Sequence, residues 1–251
     1  MNPPEVVIVL KTWQGRSREI AEKRLEGLAK TVTSLEENLI YPNLSWQLAD
    51  DGSDEWYMEA ALDILGDRPW TWSNSEADGD VGRNLNCGLR AAFSRAEIVL
   101  NWSDDIQLVH PMDITPYVNL LRCDLSVGYV QTRPIHPSLC TSLVERHGRE
   151  WLVLKKWSAN AFLIVTSLTL MHKRAWDFYG PYPEGLRIDI MQEEMAWRYR
   201  RFENGLHMVV PKELVNTSRV HYGGDSTWDW QLRESPEWYR YRSYSARKQH
   251  E

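Results

Sequence analysis

The chain has 251 residues, of which 43% are hydrophobic and 25% charged, and its formal net charge is −6. This composition is typical of a globular protein with a substantial core, and the acidic balance argues against bulk electrostatic binding of a polyanion. Three cysteines without CxxC spacing indicate a reducing compartment and argue against a disulfide framework or a zinc site. The amino terminus lacks a signal-peptide pattern and the longest apolar run is too short to span a bilayer, so we expect a cytoplasmic protein without a membrane span.

The first part of the chain alternates between short apolar runs and amphipathic helices. Strands are predicted at residues 6–10, 44–49, 70–72 and 98–100, and helices at residues 17–38, 57–65 and 85–96. Gly66 lies just past the second helix, as a helix end favours. Because strands that alternate with helices pair in parallel through right-handed crossovers, we predict a Rossmann-like α/β sheet.

The second part of the chain has a less regular pattern. Strands are predicted at residues 125–132, 151–157, 161–170 and 207–211, with a helix at residues 189–202. The segment after residue 224 is rich in Trp, Tyr and Arg and has no clear period. We therefore divide the chain into residues 1–110, residues 111–224 as a second half of the same domain, and an aromatic and basic tail at residues 225–251.

Two adjacent acids, Asp104 and Asp105, follow the apolar run at residues 98–100. A buried strand that ends at paired carboxylates places negative charge at the carboxyl edge of the sheet, where open α/β sheets bind ligands. The two carboxylates repel each other unless a positive group lies between them. A hard divalent cation that also binds phosphates is the usual solution.

Two further polar clusters, at residues 12–16 and 50–53, are expected at the same sheet edge as the acid pair. Each follows a predicted parallel strand, so all three clusters converge on one crevice. Arg83, at the end of the polar loop that precedes the third predicted helix, could hold a diphosphate in bidentate fashion. The convergence carries more weight than any single motif, because an Asp-Gly-Ser turn alone is ordinary turn chemistry.

Four motifs in order carry a family resemblance: KTWQGR at 11–16, ADDGSDE at 49–55, GRNLNCGLRAA at 82–92 and IVLNWSDD at 98–105. Together they resemble the nucleotide-sugar half of the GT-A glycosyltransferases, most closely the broad inverting family 2, in which the acid pair corresponds to a DXD-type motif. Residues 159–211 are similar to the family's acceptor region. The resemblance implies a mixed, mainly parallel sheet flanked by helices, with a C-terminal acceptor-side half.

The resemblance also implies an activity and its cofactors. It implies metal-dependent transfer of a hexosyl or pentosyl group, with inversion, from a nucleotide-sugar of UDP type to a soluble acceptor. The acceptor could be a glycan, a protein, a modified nucleobase or a small molecule. The cation would be Mn²⁺ or Mg²⁺, bound by Asp105, with Asp104 on the ribose or the metal and His221, in RVHYGG, as a third ligand.

On the donor side, the resemblance assigns contacts to the two earlier motifs and the helix start. Asp50 and Asp51 would contact the base and ribose. Arg83 would contact the base or the phosphates, and Thr12 would line the nucleotide pocket through the backbone of the first loop.

The general base is where the sequence departs from the family pattern. Counting back from Arg198, the family's catalytic aspartate falls on Gln192, which cannot accept a proton as a base. Glu193 is the nearest acid in register and is our preferred candidate, with Glu194 and Asp189 as alternatives. Asp189 and Gln192 could instead form a capping box at the start of the helix.

Aromatic residues suggest where an acceptor binds. Trp102, Trp228 and Trp230 could stack on a sugar or a base. The tail WYRYRSYSARK interleaves aromatic residues with basic ones, a pattern that suits a nucleic-acid acceptor or an acidic partner.

Two other functions compete with glycosyl transfer. A nucleotidyltransferase would share the sheet, although the Gly-rich, lysine-bearing loop of that class is missing after the first strand. A catalytically silent sugar- or nucleotide-binding module is the other alternative, and Gln192 is the argument for it. The sequence does not indicate an oligomeric state.

Overall fold

The computed structural model describes residues 3–76, 79–132, 139–155, 168–202, 204–214 and 222–223. Its helices are α1 (Arg18–Asn38), α2 (Glu55–Leu65), α3 (Val81–Phe93), α4 (Thr115–Cys123), α5 (Lys173–Tyr179) and α6 (Ile188–Arg201). Its strands are β1 (Val6–Thr12), β2 (Leu39–Ile40), β3 (Leu44–Asp50), β4 (Trp70–Asn74), β5 (Ile98–Ser103), β6 (Gln107–Leu108), β7 (Met112–Asp113), β8 (Val127–Gln131), β9 (Cys140–Arg146), β10 (Arg149–Leu154), β11 (Thr169–His172), β12 (His207–Pro211) and β13 (Tyr222–Gly223).

Nine of these strands form one sheet in the order β4-β3-β1-β5-β11-β8-β12-β10-β9. The strands β4, β3, β1 and β5 pair in parallel, as the alternation of strands and helices predicts. The strand β11 runs antiparallel between β5 and β8, and β9 and β10 form an antiparallel hairpin beside β12. The sheet is therefore mixed but mainly parallel on the amino-terminal side, which confirms the predicted fold class.

Helices cover the sheet on both faces. Alternate residues of β1 divide between two apolar clusters: Ile8 and Leu10 pack with α1 and α2, whereas Val7 and Val9 pack with α3 and α6. A central strand of this kind is apolar throughout because both of its faces are buried. The carboxyl ends of β1, β3 and β5 consequently open onto a common edge, where the polar motifs lie.

Local signals explain where the first helices begin and end. Ser17 caps α1 by accepting a hydrogen bond from the Ile20 amide at 3.3 Å, and Gly66 ends α2 with a positive φ of 56°. Within the described ranges, no helix combines the length and the apolarity that a membrane span requires.

The second half departs from the predicted pattern in several places. The helices α4 and α5 and the strand β9 were not predicted. The predicted strand at 161–170 lies partly outside the described residues, and the observed strand β11 begins at Thr169. The capping-box alternative is wrong, because the residue at the N-cap of α6 is Arg187 and makes no side-chain capping bond.

Candidate active site

The end of β1 is the point at which the four sequence motifs meet. The Thr12 carbonyl oxygen accepts hydrogen bonds from the Asp51 amide at 3.2 Å and from Asn84 Nδ2 at 3.3 Å. The Thr12 hydroxyl donates to Asp104 Oδ2 at 3.1 Å. One buried threonine therefore contacts the Asp-Asp-Gly-Ser turn, the start of α3 and the acid pair after β5, as the convergence of the motifs predicts.

The carboxylate of Asp104 is buried, and one of its oxygens contacts two side chains. Arg24 Nη1, from α1, lies 3.2 Å from the same Oδ2 atom that Thr12 contacts. Tyr57 lies behind Thr12, with its hydroxyl 2.7 Å from Thr12 Oγ1, and the Thr31 hydroxyl donates to the Asp104 carbonyl at 2.9 Å. These contacts fix Asp104 in place, while the neighbouring Asp105 is the more exposed acid of the pair.

Two cationic side chains accompany the two acids. Burial raises the pKa of Asp104 to about 6, and the Arg24 guanidinium opposes this shift by favouring the carboxylate. Burial lowers the pKa of Lys11 to about 8, against the pull of Asp105 and Asp104. The pocket thus brings opposite charges together in a partly dry environment, where electrostatic interactions are strong.

The Asp-Asp-Gly-Ser turn has a different role for each of its acids. Asp50 is fully buried and accepts hydrogen bonds from the Gly52 and Ser53 amides and from the Ser53 hydroxyl, at 3.1, 2.9 and 2.6 Å. Ser53 Oγ in turn accepts from the Gln14 amide at 3.0 Å, which joins the first loop to this turn. Asp51 accepts from the Ser75 hydroxyl at 2.7 Å, and burial raises the pKa of Asp51 to about 6.

Arg83 lies in the first turn of α3, at the same edge of the sheet. Its amide donates to Asp80 Oδ1 at 3.1 Å, which caps the helix, and its side chain is exposed. A helix start favours anions because its amide groups and dipole are positive, and an exposed arginine adds to this.

The three acids proposed as general base lie on α6. Glu193 is exposed and makes no ion pair with any described residue, whereas Glu194 pairs with Arg198 at 3.2 Å. Asp189 lies in the first turn, and its side chain is outside the described part of the structure. Gln192, which occupies the position of the family's aspartate, is buried.

One predicted acceptor contact is wrong. Trp102 of β5 is fully buried in the apolar core, and its indole donates to the Ile106 carbonyl at 2.7 Å, so its ring is not available for stacking on a substrate. His221, Trp228, Trp230 and the tail at residues 225–251 lie outside the described residues.

Four residues that hold this site together were not found from the sequence: Lys11, Arg24, Tyr57 and Asn84. A signal existed for Arg24, because it occupies the apolar stripe of α1 between Ala21 and Leu28, at helical spacing. A charged residue in such a stripe indicates a buried partner. Lys11 offered a weaker signal as a cation that directly follows the apolar residues of β1.

Of the two acids, Asp105 is the better candidate to bind a divalent cation. Asp104 Oδ2 is already taken by Arg24 and Thr12, so Asp105 is the side chain best placed to contribute a carboxylate oxygen. No group of three or more His, Cys, Asp or Glu side chains that could hold a metal occurs among the residues that the structure describes. Such a donor set fits Mg²⁺ or Mn²⁺, which often bind through one or two carboxylates and complete their coordination with substrate phosphates and water.

The fold is similar to that of several solved glycosyltransferases. Residues 1–349 of Staphylococcus aureus TarS match 90% of this chain with a TM-score of 0.57 at 12% identity, and the match covers 62% of that protein. The mannosyltransferase PcManGT from Pyrobaculum calidifontis, in complex with GDP-Man and Mn²⁺, matches 92% of this chain and 61% of its own with a TM-score of 0.55 at 16% identity. GalNAc-T7 with UDP, GalNAc and Mn²⁺ matches 84% of this chain and 43% of its own, with a TM-score of 0.57 at 13% identity.

At these identities the likeness establishes the fold, which is of the GT-A type. The chain spans less than two thirds of the length of each of these three structures. No protein-family model matches the sequence, and the comparison with curated proteins gives no match.

Proposed function

We propose that this protein transfers a sugar from a nucleoside diphosphate sugar to an acceptor. The observation that carries the proposal is the meeting of all four motifs at Thr12, at the carboxyl edge of the parallel strands. Open α/β sheets bind ligands at this edge, and the solved GT-A structures named above include complexes with UDP or a GDP-sugar. Function belongs to the site rather than to the fold, so the proposal rests on the site first.

The donor nucleotide, in this proposal, lies across the ends of β1 and β3. Asp51 and the turn that Asp50 shapes contact the base and ribose, and the backbone after Thr12 lines the pocket. Arg83 contacts the base or the diphosphate from the start of α3, where the charge and the exposed position suit an anion. We propose a UDP-type donor.

The leaving group of such a donor is a nucleoside diphosphate, on which negative charge builds as the glycosidic bond breaks. A divalent cation bound by Asp105, with His221 as a further ligand, would offset that charge. Lys11, when protonated, adds a positive charge near the two acids. Arg24 holds Asp104 in the position from which it orients the ribose or supports the cation site.

Inversion requires a base on the face of the sugar opposite to the leaving group. We propose Glu193 for this role, because it is exposed while Glu194 pairs with Arg198. Asp189 remains the alternative at the start of α6. The acceptor would be a glycan, a protein, a modified nucleobase or a small molecule.

The buried Gln192 supports a second candidate function, a silent module that binds the donor without turnover. Incubation of the full chain with UDP-, GDP- or TDP-sugars and Mn²⁺ separates the candidates. Metal-dependent release of nucleoside diphosphate that is lost in Asp105→Asn supports transfer. The exposed Asp63 of α2 offers a matched control, because Asp63→Asn removes a carboxylate away from the site.

Other outcomes contradict the proposal. Donor binding with no release in the presence of any acceptor class favours the silent module. Formation of pyrophosphate from a nucleoside triphosphate and a sugar phosphate identifies a nucleotidyltransferase instead.

A further inference from the structure

A cavity of about 850 Å³ lies between α5 and the carboxyl end of α6, and none of its described lining residues belongs to the proposed donor site. We name it the aromatic–arginine groove, after the residues that line it: the rings of Phe178, Trp197 and Phe202 and the side chains of Arg200 and Arg201. All three rings are exposed, Trp197 to 51%. Large aromatic side chains concentrated in one exposed cavity indicate a binding site.

The rings of the groove are held by packing rather than projecting freely. Phe178 and Phe202 lie edge to face with centroids 5.2 Å apart, and Phe178 also packs at 4.9 Å on the buried Tyr179. The Arg201 guanidinium lies 5.2 Å from the centroid of the Trp197 ring. A preorganised surface of this kind loses little conformational entropy when a flat ligand stacks on it.

The described residues that line the groove carry positive charge, whereas the molecule as a whole is acidic. The chain as a whole carries −6, yet the described residues that line the cavity include two arginines and no acid. Guanidinium groups bind phosphates in bidentate fashion, and aromatic rings stack on unpaired bases. Bases in a duplex are already stacked on one another, so the combination favours a single strand.

The proposed base lies one helical turn before Trp197, the residue of α6 that lines the groove nearest to it. Glu193 and Trp197 are four residues apart and are both exposed, which places them on one face of the helix with a rise of about 6 Å between them. We propose that the aromatic–arginine groove binds single-stranded nucleic acid and presents it as the acceptor of the sugar. The binding step stands on the groove alone, whereas the acceptor role rests on the proposed function.

The test is fluorescence anisotropy of a labelled single-stranded oligonucleotide of about 15 nucleotides with the full chain, without donor or metal. We expect Trp197→Ala to weaken binding about tenfold, because one stacked base is lost, and Trp197→Phe to retain most of it. Arg201→Gln should lower the slope of log K against log salt by about 0.7, the value for one phosphate contact on a single strand.

Matched controls lie elsewhere on the surface. Trp72 on the edge strand β4 is 50% exposed, close to the value for Trp197, and Arg122 on α4 is an exposed arginine. The variants Trp72→Ala and Arg122→Gln should bind the oligonucleotide as the unaltered chain does.

Three results would overturn the proposal: no binding of the oligonucleotide, equal binding by all variants, or preferential binding of a sulfated polysaccharide with the same dependence on Trp197. Titration of UDP with Mn²⁺ on the same preparation separates the two proposals. If UDP binds and the oligonucleotide does not, only the groove assignment is contradicted. If the oligonucleotide binds and UDP does not, only the proposed donor site is contradicted.

Discussion

Arg24 Nη1 lies 3.2 Å from Asp104 Oδ2, and the two side chains are only 11% and 7% exposed. This ion pair joins α1 to the acid pair that follows β5. A buried pair is costly to form, since both charges leave water, but removing one partner is worse because the other charge is then buried without compensation.

We expect Arg24→Met to lower the free energy of unfolding by about 3–5 kcal/mol, measured by urea denaturation. The double variant Arg24→Met with Asp104→Leu should recover much of this loss, since no lone charge stays buried. Lys23→Met, which removes an exposed pair with Glu19, should change stability by less than about 0.5 kcal/mol. If Arg24→Met and Lys23→Met lower the free energy of unfolding by similar amounts, the burial of the Arg24–Asp104 pair does not determine its contribution to stability.

The hydroxyl of Tyr57 is the far end of a relay to Asp104. Thr12 donates its single hydroxyl proton to Asp104, so Tyr57 must donate to Thr12 across the 2.7 Å contact. We expect Tyr57→Phe to cost about 1–2 kcal/mol of stability, because a buried acceptor loses its donor. A double-mutant cycle with Thr12→Val measures the coupling directly, and a coupling energy near zero would contradict the relay.

Asp51 should make stability depend on pH. Its folded pKa is about 6, whereas an aspartate in an unfolded chain titrates near 4, so the folded state binds more protons between these values. The free energy of unfolding therefore falls as pH rises from about 4 to about 6, and the loss is complete above that range.

Asp51→Asn removes this penalty, and its amide oxygen still accepts from Ser75. We expect the variant to be about 1–2 kcal/mol more stable at pH 7 and to have a flatter pH profile between 4 and 6. It should also bind UDP more weakly, because functional sites often trade stability for function. Asp63→Asn, at an exposed position, serves as the control. An unchanged pH profile in Asp51→Asn would contradict the assignment of this pH dependence to Asp51.

Two helix glycines should respond in opposite directions to alanine. A Cβ on Gly88 of α3 would lie 2.6 Å from the Ala49 Cβ, so Gly88→Ala should push α3 off the sheet and cost about 1–3 kcal/mol. A Cβ on Gly27 of α1 would lie an ordinary 3.5 Å from the Asp104 carbonyl oxygen, so Gly27→Ala should stabilise the chain by about 0.5–1 kcal/mol. Thermal unfolding of both variants tests the close approach of α3.

Glu193→Gln tests the proposed base. General base catalysis contributes about 10²–10⁴-fold, so we expect a loss of this order in sugar transfer or donor hydrolysis, with UDP affinity unchanged. Glu194→Gln is the matched variant one position along the helix, and it should lose little activity since its carboxylate serves Arg198. A large loss in Glu194→Gln but not in Glu193→Gln would identify Glu194 as the base. If both variants keep full activity, Asp189 becomes the candidate.

Much of this fold could be predicted from the sequence because the first half follows simple periodic rules. The Leu28, Val32 and Leu35 stripe predicts α1, and the apolar run at residues 98–100 predicts β5 and the polar edge beyond it. Parallel pairing follows from the alternation of strands and helices, so the convergence of the motifs at one edge was also predictable. The helices α4 and α5 were missed because they are short, at nine and seven residues, and short helices show little period.

Which individual side chains point into the core and which line the site could be learned only from the tertiary structure. Residues in β5 are buried on both faces, so no alternation in the sequence distinguishes Trp102, which packs into the core, from a residue that lines the site. The side chains that contact Asp104 come from β1 and α1, up to 92 positions away, and only the packing of those elements brings them together.

The sequence by itself therefore determined the order of the elements, the edge at which the site lies and the chemical types gathered there, because these depend on local periodicity and on parallel connectivity. The tertiary structure decided which acid is buried and which is accessible. Asp104 is committed to Arg24 and Thr12, and Asp105 stands next to it with greater exposure. That difference arises from long-range packing, which places a guanidinium group and a threonine hydroxyl against one of two adjacent carboxylates.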